Sequence, residues 1–463
     1  MTDIEGTKKL SSQDGRGCTS GLNEKWRIVL NVTILSGAFM VQFTAYEGTA
    51  NLQSSINAGL GQISLAAIYG SVILSSVFVP VVAIKYLGCK WTMALSLITY
   101  MPYIAAQFHP TAYTLIPAAV AVGLGGAPLW CAKCTYLTVV AEAYSNLTGI
   151  PVDVIVVRFF GIFFMFFQCA QIWGNLISSL VLSRGTSSGN SSTVGAVGGI
   201  CGINFCPEHA TKETLPAPSI EKINMIAFIY LGCMICSVLI VALFVDSTAK
   251  YDKDRRGSGT GLTGFRLLSV VLKLLSQRNQ ILILPITIWL GMTHVLLAAD
   301  FTSAYVTCAW GVSKVGYVMI CYGVFNAFSA ITMGWLTKIT GKLVVVGGAT
   351  VIHLGLFAFL LNWIPRGREN ELYILLLVTG LWGVADGGWY VQINAMYGIL
   401  FPEQKEAAYS NLRIWKSLGY VIAYLYSAQL CTQVKIYIAG SLLVLGTAGL
   451  VIAERSVARK KKG

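Results

Sequence analysis

The chain alternates between twelve apolar stretches and short polar gaps, and this alternation constrains its fold more than any other feature. Most stretches are near the ~20 residues that a helix needs to cross a hydrocarbon core. Hydrophobic residues make up 55% of the chain, charged residues 11%, and the mean hydropathy is +0.67. A soluble fold could not bury so much apolar surface, so we predict an all-α, multi-pass membrane protein. The stretches run roughly over 28–50, 62–84, 91–108, 112–136, 155–182, 223–245, 280–301, 314–336, 343–364, 372–400, 413–431 and 435–453.

The lysines and arginines fall mainly into alternate gaps. With a cytoplasmic amino terminus, most of the 33 basic residues lie in predicted inner segments, among them Lys405, Arg413 and Lys416. Few, such as Lys435, lie in predicted outer segments. This positive-inside bias predicts that both termini face the cytosol. The net charge of +13 then reflects topology and attraction to the lipid bilayer, and nucleic-acid binding explains it poorly.

The two halves of the chain repeat each other. Gly88 and Gly341 lie in similar short basic loops. The separation between Glu47 and Asp300 in the sequence equals the separation between Gly88 and Gly341. Glycine-rich segments recur in helices four and ten with a slightly larger offset. Such repeats predict a major-facilitator-type bundle of twelve transmembrane helices in two pseudo-symmetric six-helix halves.

This duplication divides the chain into five parts. They are a cytoplasmic amino-terminal tail (1–27), an amino-terminal half (28–245), a cytoplasmic linker (246–279), a carboxy-terminal half (280–453) and a basic cytoplasmic tail (454–463). In the linker, apolar residues between Phe265 and Leu275 share one helical face, which predicts an amphipathic helix lying on the membrane surface. A helix packed under the bundle is the alternative.

The longest predicted outer gap, about 183–222, carries two features of a lumenal or extracellular segment. Asn190-Ser191-Ser192 is a glycosylation sequon, and Cys201 and Cys206 follow closely. On that side of a membrane a glycan can be attached and cysteines can be oxidised. We therefore expect a glycoprotein modified at Asn190 and a disulfide between Cys201 and Cys206, with an unmodified solvated loop as the alternative.

Four ionisable residues at membrane depth are the candidate functional residues, since such groups are costly unless they are paired or used. Helix rise places Glu47 and Asp300 near the outer mouth of the helices that line the central cavity of this fold. Together they would form a cation-attracting vestibule. The alternative is that each carboxylate bonds a nearby hydroxyl, such as that of Thr49 or Thr302.

Lys133 and Asp386 are expected near the middle of helices four and ten. The repeat offset brings them to similar levels on facing helices, so an ion pair between them would join the two halves. The alternative is that Asp386 bonds within 380–390 while Lys133 extends its amine toward the inner interface.

No pattern of catalytic, metal-binding or cofactor-binding residues stands out. The pairs Cys131/Cys134 and Cys233/Cys236 lie in apolar helices without a second ligand pair, so they are predicted to pack. The glycine-rich runs lack the Lys-Ser/Thr of a phosphate-binding loop. The sequence therefore predicts no enzyme, no cofactor and no metal site.

Several segments along the chain carry a family resemblance. They are Phe43-Thr44-Ala45-Tyr46-Glu47-Gly48, Ala127-Pro128-Leu129-Trp130, Trp173-Gly174-Asn175-Leu176-Ile177, Gly380-Leu381-Trp382-Gly383-Val384-Ala385-Asp386 and Lys405-Glu406-Ala407-Ala408-Tyr409-Ser410-Asn411. These segments resemble the Unc-93 family, and the similarity covers about residues 28 to 453.

This resemblance implies a major-facilitator-like fold and, from the family's founding member, a regulatory subunit of a two-pore potassium channel. We therefore expect a non-enzymatic regulator that contacts its partner within the bilayer. One alternative is a secondary transporter of a small cationic solute. Another is a trafficking escort, because a related branch escorts Toll-like receptors. The loop Val82-Ala83-Ile84-Lys85-Tyr86 lacks the Gly and Asp usual in transporters of this fold, which disfavours ordinary transport.

The predicted location is the plasma membrane. The tail residues Lys460 and Lys461 also fit the dilysine pattern for retrieval to the endoplasmic reticulum. Residence in the endoplasmic reticulum or in endosomes is therefore the alternative.

Overall fold

The computed structural model describes residues 14–56, 58–183, 201–207, 219–251, 273, 277–311, 314–400 and 405–460. All regular structure within these ranges is helical, which confirms the predicted all-α class. Asn190, Lys461 and nearly all of the predicted amphipathic helix lie outside the described residues. The main helices are α1 (Asp14–Ile56), α2 (Ala58–Ile98), α3 (Met101–Ala105), α4 (Ala112–Thr148), α5 (Val152–Ser183), α6 (Ile220–Phe244), α7 (Arg278–Val295), α8 (Val315–Thr340), α9 (Lys342–Asn362), α10 (Leu372–Leu400), α11 (Lys405–Ser427) and α12 (Thr432–Lys460).

Helix α7 continues without a break into a π-helical segment, Leu296–Thr307, and ends in a short turn at Cys308–Trp310. π-Helical geometry is rare beyond a single turn and is frequently found at functional sites. This segment carries Asp300, one of the candidate residues.

Ten helices of the described chain are long and apolar enough to cross a membrane. This criterion leaves out two of the predicted spans. One consists of the second part of α2 together with α3, and the other is α11. Helix α11 is less apolar because Lys405, Arg413 and Lys416 lie within it.

The backbone confirms the predicted duplication. Gly88 has φ 71° and ψ 169°, and Gly341 has φ 84° and ψ 160°. Such positive φ values favour glycine, which has no Cβ. The chain therefore reverses with the same geometry after the second helix of each half.

The two halves meet through helices that each half contributes. Helix α11 packs against α2, and α8 packs against α5. Tyr420, Ala423 and Tyr424 of α11 belong to the hydrophobic core of the amino-terminal half. The carboxy-terminal half has its own core, which is built around Trp289, Trp382 and other buried side chains. Helix α11 thus faces the interior between the halves.

At the predicted inner end, a polar cluster joins α1 to the end of α6. The guanidinium of Arg27 donates to Asp246 at 2.7 and 2.9 Å, and Asn31 donates to the same carboxylate at 2.9 Å. The hydrogen bond from Arg27 lowers the pKa of Asp246 to about 2. The Asp246 carboxylate is therefore charged at neutral pH and holds the two helices together.

Helices α7 and α11 approach closely at Gly291 and Gly419. A Cβ at Gly419 would overlap the carbonyl oxygen of Ile288. Because a tightly packed site cannot absorb an added methyl, we expect Gly419→Ala to lower stability by about 1–3 kcal/mol. The thermal unfolding of detergent-solubilised protein measures this loss.

The matched control is Gly347→Ala on α9, where a Cβ would meet nothing within 4 Å. Replacing this flexible helical glycine should raise the free energy of unfolding by about 0.5–1 kcal/mol. Equal unfolding temperatures for the two variants would show that α7 and α11 do not approach this closely.

Candidate functional site

The interior face of α11 carries a polar and aromatic stripe. Its residues are spaced three or four apart, which places them on one side of a helix; they are Arg413, Lys416, Tyr420, Tyr424 and Ser427. The charge pattern predicts Arg413 and Lys416 in an inner segment. Helix α11 begins at Lys405, so Lys416 lies near the middle of that helix.

Both basic side chains of the stripe lie over aromatic rings. The Arg413 guanidinium carbon is 4.4 Å from the ring centroid of Trp130 on α4. The Lys416 amine is 4.3 Å from the ring centroid of Tyr390 on α10 and 5.6 Å from that of Tyr420. Cations over ring faces are attracted by the ring quadrupole. The two side chains therefore point into the space between α4, α10 and α11.

A stack of tyrosines continues the stripe toward the predicted outer side. The rings of Tyr69 and Tyr420 lie 3.9 Å apart and are tilted by 8°. Tyr424 lies 6.0 Å from Tyr69, and the ring of His294 meets Tyr420 edge-on at 5.5 Å. Because Tyr69 belongs to α2, this stack joins the two halves.

Lys133 is enclosed by aromatic rings. Its amine lies within 5.1 Å of four ring centroids, those of Trp130, Phe160, Phe163 and Phe164. The side chain is 1% exposed, so it does not extend to the inner interface. The described ion pairs do not include Lys133 with Asp386, so both sequence-based expectations for Lys133 are wrong. The Lys133 amine contacts the phenylalanine rings of α5 in place of the Asp386 carboxylate that was its predicted partner.

Asp386 lies in a separate network within the carboxy-terminal half. The Tyr322 hydroxyl donates to it at 2.8 Å, and the other carboxylate oxygen lies 3.3 Å from His353 Nε2. His353 Nδ1 is 3.1 Å from the Ala349 carbonyl, so Nδ1 must be the donor. These partners lie outside 380–390, so the alternative expectation for Asp386 was also wrong.

Glu47 takes part in an amide network on α1 and α5. Gln171 donates to the Glu47 carboxylate at 2.8 Å and accepts from Asn51 at 2.9 Å. Thr49, which was a candidate partner, donates to the Ala45 carbonyl. Glu47 is 9% exposed and its predicted hydroxyl contact is replaced by an amide.

Asp300 is neutralised by a lysine that the sequence analysis had assigned to the outer surface. Lys435 donates to Asp300 at 2.7 Å, and Ser427 donates to the same oxygen at 2.5 Å. Asp300 is 4% exposed and Lys435 2%. The predicted cation-attracting vestibule is therefore not formed, because one of its two carboxylates is buried and compensated. Thr302 bonds to the Ala298 carbonyl instead of to Asp300.

Two disulfides attach residues 201–207, which we call the outer cap, to the carboxy-terminal half. Cys201 is bonded to Cys308 and Cys206 to Cys431. The predicted Cys201–Cys206 bridge is wrong because both cysteines face partners on other helices. The cap also docks through its backbone, since the Thr432 amide donates to the Phe205 carbonyl at 3.0 Å.

Within the described residues, no group of three or more His, Cys, Asp or Glu side chains could hold a metal ion. The described interior instead offers three cations beside aromatic rings and three buried carboxylates in polar networks. Such an arrangement suits recognition of a charged molecule more than covalent chemistry.

Comparisons with known proteins add to this geometry. A family profile described as "Ion channel regulatory protein UNC-93" matches residues 52–451. Protein unc-93 homolog A of Xenopus laevis is 40% identical over 425 residues, which cover 90% of this chain and 91% of that protein. The putative potassium channel regulatory protein unc-93 of Caenorhabditis elegans is 31% identical over 93% of this chain and 61% of its own length. The nucleoside transporter NupG is 16% identical with a TM-score of 0.61, covering 92% of this chain and 98% of that chain. This last likeness shows the predicted major-facilitator fold.

Proposed function

The chain belongs to the UNC-93 family, and from this premise we propose that it is a non-enzymatic membrane protein that regulates a potassium channel by contact within the bilayer. The observation that carries the proposal is the family match over 52–451, which is described as an ion channel regulatory protein. The Caenorhabditis elegans relative is named for potassium channel regulation.

The interior geometry favours this proposal over transport of a cationic solute. A cation carrier needs acidic groups free to meet its substrate, but Asp300 is paired with Lys435 and Glu47 accepts from Gln171. Among the described residues, the interior cations without a carboxylate within 4.0 Å are Arg413, Lys416 and Lys133. A positively charged interior would repel a cationic solute.

An open apolar groove on α12 is the surface that we assign to the channel. Its volume is about 380 Å³, and it is lined by Val434, Tyr437, Ile438, Ser441, Leu442 and Leu445. Tyr437 and Leu445 are 54% and 64% exposed. Transmembrane helices associate where small residues let them approach, and Ser441 provides such a notch between larger neighbours. A transmembrane helix of the channel is the occupant that fits.

The proposed location is the plasma membrane with both termini in the cytosol. The four bonded cysteines lie at the predicted outer ends of the helices, where an oxidising compartment would permit their disulfides. We also propose a glycan at Asn190, and retrieval through Lys460 and Lys461 is the alternative to residence in the plasma membrane.

Coexpression with a two-pore potassium channel tests this function. We expect channel current to depend on the protein, and Ser441→Trp to return the current to its level without the protein, because the bulky ring fills the notch. Leu243→Trp on α6 is the control, since Leu243 is 69% exposed on another helix. Whole-cell current and surface abundance should be measured together.

An unchanged current with Ser441→Trp would contradict contact through α12. Saturable uptake of a cationic solute by purified protein in liposomes would support the transporter instead.

A further inference from the structure

Two cations on the interior face of α11 have no acidic partner within the part of the chain that the structure describes. Arg413 and Lys416 contact aromatic rings, and neither has a carboxylate within 4.0 Å. Ionisable side chains inside a membrane normally pair with an opposite charge, because an isolated charge is costly there. A bound anion would supply the direct partner that Arg413 and Lys416 lack among the described residues.

The carboxylates of the interior already have other partners. Glu47 accepts from Gln171, Asp386 accepts from Tyr322 and faces His353, and Asp300 is paired with Lys435. Lys133 lies on the neighbouring α4, where aromatic rings enclose it. Its amine adds a further positive charge to the same region. Glu47 and Asp386 accept from neutral donors and attract Lys416 from beyond ion-pair distance. The three cations Arg413, Lys416 and Lys133 exceed these two carboxylates by one charge, which favours a bound anion.

The geometry also allows one small molecule to meet both cations. Arg413 and Lys416 are three residues apart on α11, which places their Cβ atoms about 5–6 Å apart on one helical face. Both side chains are half-buried, so part of their surface remains accessible beside the rings of Trp130 and Tyr390. These rings belong to different halves, so the accessible surface lies between the halves.

We propose that Arg413 and Lys416 bind a small organic anion, through its carboxylate or phosphate group, between the two halves. The planar guanidinium of Arg413 would bond two oxygens of that group, and the amine of Lys416 would bond as a point charge. Trp130, Tyr390 and Tyr420 would pack against the apolar body of the ligand. This site goes beyond channel regulation, which does not require it.

The test uses the full chain, purified into phosphatidylcholine nanodiscs without any channel. Benzoate and inorganic phosphate are the anionic probes, benzamide is the neutral match and benzylamine the cationic match. We expect benzoate to raise the unfolding temperature in a saturable way, and benzamide and benzylamine to leave it unchanged. Calorimetric titration gives the affinity independently.

Three charge-removing variants locate the site. Arg413→Gln and Lys416→Gln should each weaken benzoate binding about tenfold or more, as expected for loss of a hydrogen bond to a charged group. Lys85→Gln is the control, because Lys85 also lies over a ring, that of Tyr86 at 5.9 Å, but near the surface. If Arg413→Gln does not fold, Lys416→Gln and the charge-retaining Lys416→Arg supply the comparison.

A second nanodisc composition distinguishes a soluble anion from a lipid headgroup. If phosphatidylserine stabilises the protein through Lys416 and prevents benzoate binding, the headgroup is the source of the anion. If phosphatidylserine has no effect while benzoate binds, the ligand is soluble. The proposal is overturned if benzylamine binds as well as benzoate, if Lys416→Gln binds benzoate like Lys85→Gln, or if none of the anionic probes or lipids binds.

Discussion

Lys435→Met is expected to destabilise the protein by about 3–5 kcal/mol, because it leaves Asp300 charged and unpaired in a buried site. Asp300 is 4% exposed and, among the described residues, would keep only Ser427 as a hydrogen-bond donor. Thermal unfolding in detergent measures the loss. Lys314→Met is the control, because Lys314 is less buried and contacts only the ring of Tyr317 among the described contacts.

A double-mutant cycle separates the pair from its two members. Asp300→Asn alone should also be strongly destabilising, since it strands the Lys435 amine, whereas Asp300→Asn with Lys435→Met should recover much of the loss. Losses that simply add would mean that the two charges do not interact.

The second large effect is expected from the disulfides of the outer cap. Replacing Cys431 by serine opens a bridge between residues separated by 225 positions, and Cys308→Ser opens one separated by 107. Each loss should cost about 2–4 kcal/mol, because a cross-link restricts the unfolded chain. Unfolding temperatures with and without reductant measure this. Cys236→Ala, at an exposed free cysteine on α6, is the control.

Peptide mapping under non-reducing conditions checks the pairing itself. We expect peptides joined through Cys201 and Cys308 and through Cys206 and Cys431. Recovery of a Cys201–Cys206 peptide would show that the outer cap is not bonded to the carboxy-terminal half.

The bundle and its duplication could be predicted because they depend on properties that are local in the chain. Apolar length determines whether a helix can span a bilayer, and the paired loops at Gly88 and Gly341 repeat in sequence as well as in backbone geometry. The ends of helices are harder to predict where charged residues lie within a helix. Arg413 was the first residue of a predicted apolar stretch, whereas α11 begins eight residues earlier, at Lys405.

The partners of the candidate residues could not be predicted, because they depend on how each helix is rotated about its axis. Helix α4 is apolar on most of its surface, so its sequence does not show whether Lys133 faces α10 or α5. Two features of the sequence could have indicated these partners. Lys435 is the first residue of an apolar stretch, so it could have been a partner for Asp300. Cys308 and Cys431 lie at predicted outer helix ends, as Cys201 and Cys206 do, so they could have been disulfide partners.

The bonding of the outer cap has a consequence for how the molecule is made. Cys201 and Cys206 are synthesised with the first half, but Cys431 lies between α11 and α12 and is synthesised 225 positions after Cys206. A chain that has inserted only its first half presents two unpaired thiols to an oxidising compartment. Full oxidation of the cap therefore reports that the chain has been made and inserted as far as Cys431, and thiol-specific labelling of nascent chains would distinguish such molecules from shorter ones.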